Sequence, residues 1–151
     1  MAPVLAGCAL FGSHDKSKDI SLGIYEQVDE ALPAENKQSV QIPHTDLKLT
    51  INPFPQLTER DVQSAELYDT VGGKAVFLRF DPHGTIVLDE LTTRARGQYL
   101  TITINHRPVS AWLVDQRITN GQLLIEGDFT DEEAKTYVDN LNALSKKNNS
   151  P

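Results

Sequence analysis

Between Gly97 and Leu144 the chain permits few folds, because strand, turn and helix signals follow one another with no spare residues between them. Leu100, Ile102 and Ile104 alternate with Tyr99, Thr101 and Thr103, the two-residue period of a strand with two distinct faces. Asn105-His106-Arg107-Pro108 then predicts a tight connection, with a returning antiparallel strand over Val109 to Val114. After a turn at Thr119-Asn120-Gly121 and a short strand at Leu123-Leu124-Ile125, Thr130 and Glu133 form a capping box. Ala134, Tyr137, Val138, Leu141 and Leu144 carry the apolar stripe of the helix that the box opens, and Lys146 to Pro151 is expected to fray.

Upstream, Ile20, Leu22 and Ile24 read as a strand, although Ile24, Val28, Ala31 and Leu32 also fit a helical stripe. Pro33 to Lys37 is turn-like. Val40 and Ile42 suggest a short strand, and Leu47 to Ile51 alternates as a further one. Thr58 with Asp61 looks like a helix cap, and Val62, Ala65 and Tyr68 are spaced for one helical face that Gly72-Gly73 would stop. Ala75 to Phe80 predicts a central strand, and Val87, Leu88, Leu91 and Ala95 a helix ending near Gly97. The sum is an α+β fold with a mainly antiparallel sheet and about three helices packed on one face. Residues 1–19 read as a leader remnant and polar tether, 20–145 as a single domain and 146–151 as a frayed end.

At 151 residues, the chain is long enough to bury a core without disulfides, and its single cysteine allows neither an intrachain bridge nor a thiolate metal site. That cysteine ends Leu5-Ala6-Gly7-Cys8, which resembles a bacterial lipobox. Small Ala6 and Gly7 suit a peptidase groove, and the Cys8 thiol is the nucleophile that takes the lipid. The reading supposes a start upstream of Met1, since Met1 to Val4 lacks a basic n-region and is shorter than a signal core. The alternative is an ordinary cysteine in a tail. With Ala9 next to Cys8, a lipid anchor of this kind implies the outer membrane, with the domain facing the periplasm. No segment approaches the ~18 consecutive apolar residues of a spanning helix, so membrane attachment would be through lipid only.

A net charge of −7 with dispersed basic residues opposes phosphate backbones, which excludes nucleic acid as a partner class. Among the four histidines, His14 lies in the tether while His44, His83 and His106 sit beside prolines or at turns. No nucleophile elbow, zinc motif or calcium loop is present, so no catalytic, metal or cofactor residue is nominated and the chain reads as a non-enzyme. The acidic run Asp128, Asp131, Glu132 and Glu133 is explained by helix capping more simply than by calcium. Trp112 is the one partner-binding candidate. It can equally fill space under a helix, because Ala111/Leu113 and Trp112/Val114 are both apolar faces.

In its order of motifs the chain resembles the head of the first periplasmic domain of SecD, a membrane subunit of the bacterial protein-export machinery. The matching residues are Leu57-Thr58-Glu59-Arg60-Asp61-Val62, Thr92 or Thr93 with Gly97, then Gly121, Gly127, Phe129-Thr130 and Glu133-Ala134. They cover Leu47 to Leu144. Asn105-His106-Arg107-Pro108 replaces the family's usual Asp-Gly, and Trp112 stands where it usually has proline. The resemblance implies an envelope location and a protein or peptide partner, linked to export. The motor's membrane helices are missing, so proton-coupled export is not this chain's task alone. A structural lipoprotein without a client, or an enzyme whose site is invisible in sequence, are the other readings.

Overall fold

A computed structural model describes residues 19–148. The lipobox at Cys8 and the tether up to Lys18 lie outside the described residues. Nine strands and two α-helices make an α+β fold, with strands β1 (Leu22–Glu26), β2 (Gln38–Gln41), β3 (Lys48–Ile51), β4 (Leu57–Thr58), β5 (Val62–Thr70) and β6 (Gly73–Phe80) preceding helix α1 (Pro82–Arg94). Strands β7 (Tyr99–Ile104), β8 (Arg107–Leu113) and β9 (Gln122–Ile125) follow, and helix α2 (Asp131–Asn148) closes the order. All strand pairs are antiparallel, in a four-stranded sheet β4-β1-β7-β8, a three-stranded sheet β5-β6-β9 and a hairpin β2-β3.

Among the described residues there are two α-helices rather than about three. The helix expected from Thr58 is a single 3-10 turn, Glu59–Asp61, that runs straight into nine-residue β5. Its cap is real, with Thr58 and Asp61 bonding reciprocally, but a cap carries no information about helix length. A β-bulge between Val62 and Ser64 explains the false helical spacing, since the extra residue puts Val62 and Ala65 on the same face although they are three apart. Tyr68 lies on the opposite face, stacked on Phe77 with ring centroids 4.7 Å apart. Helix α1 begins earlier than its apolar stripe, because Asp81 accepts from the Gly84 amide at 2.7 Å and Pro82 occupies the first turn. Lys146 to Asn148, expected to fray, continue α2.

The alternating strands fold as read. Leu100, Ile102 and Ile104 are buried in the main core with Leu22, Ile24, Val76, Leu78, Leu88 and Leu141, so both larger sheets and both helices share one apolar centre. Asn105 and His106, with φ of 53° and 66°, make the two-residue turn between β7 and β8. Behind β1 and β7 a second cluster forms, in which Val40, Ile42, Leu49 and Ile51 of the hairpin pack on Tyr25, Tyr99 and Ala111.

Candidate interaction groove at Trp112

Trp112 pairs with Leu100 across β7-β8, which turns its indole to the core side of the sheet. It is half-buried: one flank packs on the main core, and the other lines an open groove of about 390 Å³ with Phe77, Ile118, Leu123 and Leu124, alongside polar Gln116, Thr119, Asn120 and Gln122. Trp112 therefore fills space on one flank and stays accessible on the other. Exposed apolar side chains extend this surface, Leu124 at 39% and Tyr68, stacked on Phe77, at 42%. On the outer face of β6, Arg79 lies over the Phe77 ring at 5.3 Å, a cation–π contact that leaves its charge at the surface.

Rigid parts supply the walls. The segment after β8 is fastened to α1 at three successive points: Arg117 forks onto Asp89, donating from Nη2 to Oδ2 at 3.0 Å; the Ile118 amide donates to Thr92 Oγ1 at 2.9 Å; and Gly121, at φ 69°, sits against Thr85. A Cβ at Gly121 would lie 2.2 Å from Thr85 Oγ1, so only glycine permits this approach. The hydrogen bond from Arg117, with its charge, holds the Asp89 carboxyl below the ordinary aspartate value. At the other end, Asp128 donates its amide to the Val109 carbonyl at 2.7 Å, joining β8 to the end of β9.

Several of the other polar and charged residues make structural contacts. Thr130 and Glu133 make the expected capping box, at 2.8 and 3.1 Å, while Asp131 accepts from the Lys74 amide at 2.9 Å. Asp128 takes Arg107 Nη1 at 3.0 Å and His44 Nε2 at 3.0 Å. One trio, Asp61, Asp81 and His83, brings ligand atoms within 4.8 Å of one another, yet both carboxylates cap backbone amides and His83 Nδ1 is bonded to Asp61 at 3.1 Å. His106 is an exposed turn residue. Phe77, Tyr68 and Leu124 were not marked out by sequence; the doubled leucine at Leu123-Leu124, with one side chain on each face of β9, is a signal that could have pointed there. Among the described residues no helix is long and apolar enough to cross a membrane.

Residues 34–144 match the family model of the SecDF P1 head subdomain. The chain is 37% identical over 81 residues to the protein translocase subunit SecDF of Thermus thermophilus, covering 53% of this chain and 11% of that protein. To the protein translocase subunit SecD of Calditerrivibrio nitroreducens it is 35% identical over 70 residues, 46% of this chain and 14% of the other. It therefore spans about one eighth of the length of these relatives. A crystal structure of SecDF in a super-membrane-facing form superposes with a TM-score of 0.63 at 25% identity, over 82% of this chain and 18% of that one. A second SecDF structure, described as a membrane component that enhances protein export, gives 0.65 at 22% identity over 87% and 68%, a likeness of fold.

Proposed function

The chain belongs to the SecDF P1 head subdomain family, and on that premise we propose that it is a non-enzymatic, polypeptide-binding module of the cell envelope that serves protein export. One observation carries the reading: a rigid-walled groove presents half-buried Trp112 beside Phe77 and exposed Leu124, an amphipathic aromatic surface suited to apolar side chains of an unfolded chain. A groove of this type binds many sequences weakly, which is what a carrier of extending polypeptides needs. In support of a non-catalytic role, His44 and His106 lie at exposed turns, His83 lies exposed at the start of α1, and the carboxylates of the Asp61/Asp81/His83 trio serve as caps. Attachment would run through a lipid on Cys8, which leaves the domain on a polar leash at the membrane surface.

Reduced, carboxymethylated α-lactalbumin is a soluble unfolded probe for the binding claim. Saturable binding that Trp112→Ala weakens at least fivefold, with the variant's fold intact by circular dichroism, is the expected result. An absence of saturable binding to wild-type protein overturns it. Metabolic labelling with a radioactive fatty acid tests the anchor: full-length wild-type protein takes up label and Cys8→Ala does not, whereas an unlabelled wild type removes the lipid.

A further inference from the structure

The two edges of the β5-β6-β9 sheet are treated differently. At the β5 edge, the Asn142 side chain accepts from the Ala65 amide at 2.8 Å and donates to the Ala65 carbonyl at 2.9 Å, filling both outward backbone groups as a neighbouring strand would. Ser145 Oγ takes the Gln63 carbonyl at 2.6 Å in the same way. Helix α2 thus closes that edge, one of the ways proteins prevent unwanted strand pairing.

Among the described residues no such cover exists at β9. Phe80 donates to the Gly121 carbonyl at 2.8 Å, which fixes the phase of the β6-β9 ladder: Leu123 and Ile125 exchange hydrogen bonds with β6, while Gln122 and Leu124 turn their backbone groups away from it. The Gln122 amide is taken by Asn120 Oδ1 at 3.1 Å. Leu124 keeps its amide and carbonyl without a hydrogen-bond partner among the described residues, directly beside the groove. It is the counterpart, on the open edge, of Ala65 on the closed one.

Resting on the polypeptide-binding reading above, we infer that the β9 edge takes an extended, neutral-to-basic peptide segment by strand addition, with one peptide residue exchanging both hydrogen bonds with Leu124. Main-chain bonds of this kind give affinity without demanding a sequence. The side chain of that peptide residue falls on the outer face with Leu124 and Phe77, and its neighbours turn toward the groove at Trp112. Charge selects the partner. Exposed Glu126 follows β9 and exposed Asp115 precedes the groove-lining Gln116, both outside any ion pair among the described residues; against them Arg117 is committed to Asp89, while Arg79 lies over the Phe77 ring on the outer face. A second copy of the chain, itself at −7, meets like charge across only four residues of strand and is disfavoured as the occupant.

The probe is a fluorescein-labelled hexapeptide that alternates valine and threonine between terminal lysines, compared by anisotropy with the same peptide N-methylated at its central amide. Wild-type protein should bind the methylated form at least tenfold more weakly. Leu124→Pro, which removes an amide that β6 does not use, should weaken the unmethylated peptide similarly while retaining the wild-type far-ultraviolet spectrum. Equal binding of both peptides by wild-type protein, with Trp112→Ala weakening both, would overturn strand addition and leave the groove reading intact. Failure of wild-type protein to bind either hexapeptide also overturns strand addition, and the α-lactalbumin probe then decides the broader reading separately. Concentration-dependent dimerisation abolished by Leu124→Pro would make a second copy the occupant and overturn the peptide.

Discussion

Ile118 hangs from Thr92: its amide donates 2.9 Å to a hydroxyl that is itself fully buried and turned back onto the Leu88 carbonyl at 2.8 Å. Through that bond the buried face of α1 sets the position of a groove wall. Thr92→Val keeps the volume and removes the acceptor. The Ile118 amide, part-buried, then loses its partner at a cost of about 1–3 kcal/mol, read as a lower urea midpoint with unchanged slope. Hydrogen exchange should quicken at residues 116–119 and stay unaltered in β7. No change in midpoint would mean that the wall is not held this way.

Gly121 should tolerate no side chain. Gly121→Ala forces a left-handed φ of 69° on alanine and drives its Cβ into Thr85, so a loss of roughly 2–4 kcal/mol is expected from backbone strain and overlap together. Adding Thr85→Ala relieves the overlap alone and should restore part of the loss, leaving about 1–2 kcal/mol of strain. Thermal midpoints of the two variants separate the contributions; equal midpoints would show that Thr85 is not the obstacle.

Replacement of Thr101 should stabilise the protein. Its hydroxyl is buried beneath the β2-β3 hairpin with no hydrogen-bond partner among the described residues. Thr101→Val keeps the shape and removes the unsatisfied group, for a gain of about 1 kcal/mol in chemical denaturation. A loss of stability instead would show that the hydroxyl is satisfied in solution.

Asp89 ties groove stability to pH. Because Arg117 lowers its carboxyl value in the folded protein, the folded state binds this proton less readily than the unfolded state does. The contribution is complete above the ordinary aspartate value of about 4 and is lost as pH falls through the lower folded value. Urea midpoints of wild type and Asp89→Asn should keep a constant gap from about pH 5 to 8 and converge below about pH 4. A gap that widens in acid would reverse the sign and refute the assignment.

Closure of the β5 edge is testable at Asn142. Asn142→Ala exposes the Ala65 amide and carbonyl, costing about 1–3 kcal/mol where the groups stay dry. Size-exclusion chromatography should show concentration-dependent association that wild-type protein lacks. A variant that stays monomeric at high concentration would show that α2 shields the edge by bulk alone.

Local chemistry told most where the element was local. Strand β7 is fully described by its two-residue alternation, and the start of α2 by Thr130 and Glu133. The β5 strand misled because its bulge reproduces a three-residue spacing, and because the Thr58–Asp61 cap is the same chemistry whether one turn follows or five. Asp81-Pro82 opens α1 with residues that serve a turn as well as an N-terminus. The direction of Trp112 was not legible, since both faces of β8 are apolar. Which edge of a sheet is open could not be read at all: Ala65 is covered by a side chain 77 positions away.

Asn142 also sets a limit on growth. A sheet that accepts new strands at both margins can act as a seed, each arrival offering the template for the next on either side. Here one margin of the β5-β6-β9 sheet is terminated from within, so that sheet can be extended only at β9 and cannot serve as an internal link in a two-sided stack. A module that handles chains before they fold would meet its clients as a one-sided terminus, with release left to the weakness of a four-residue contact.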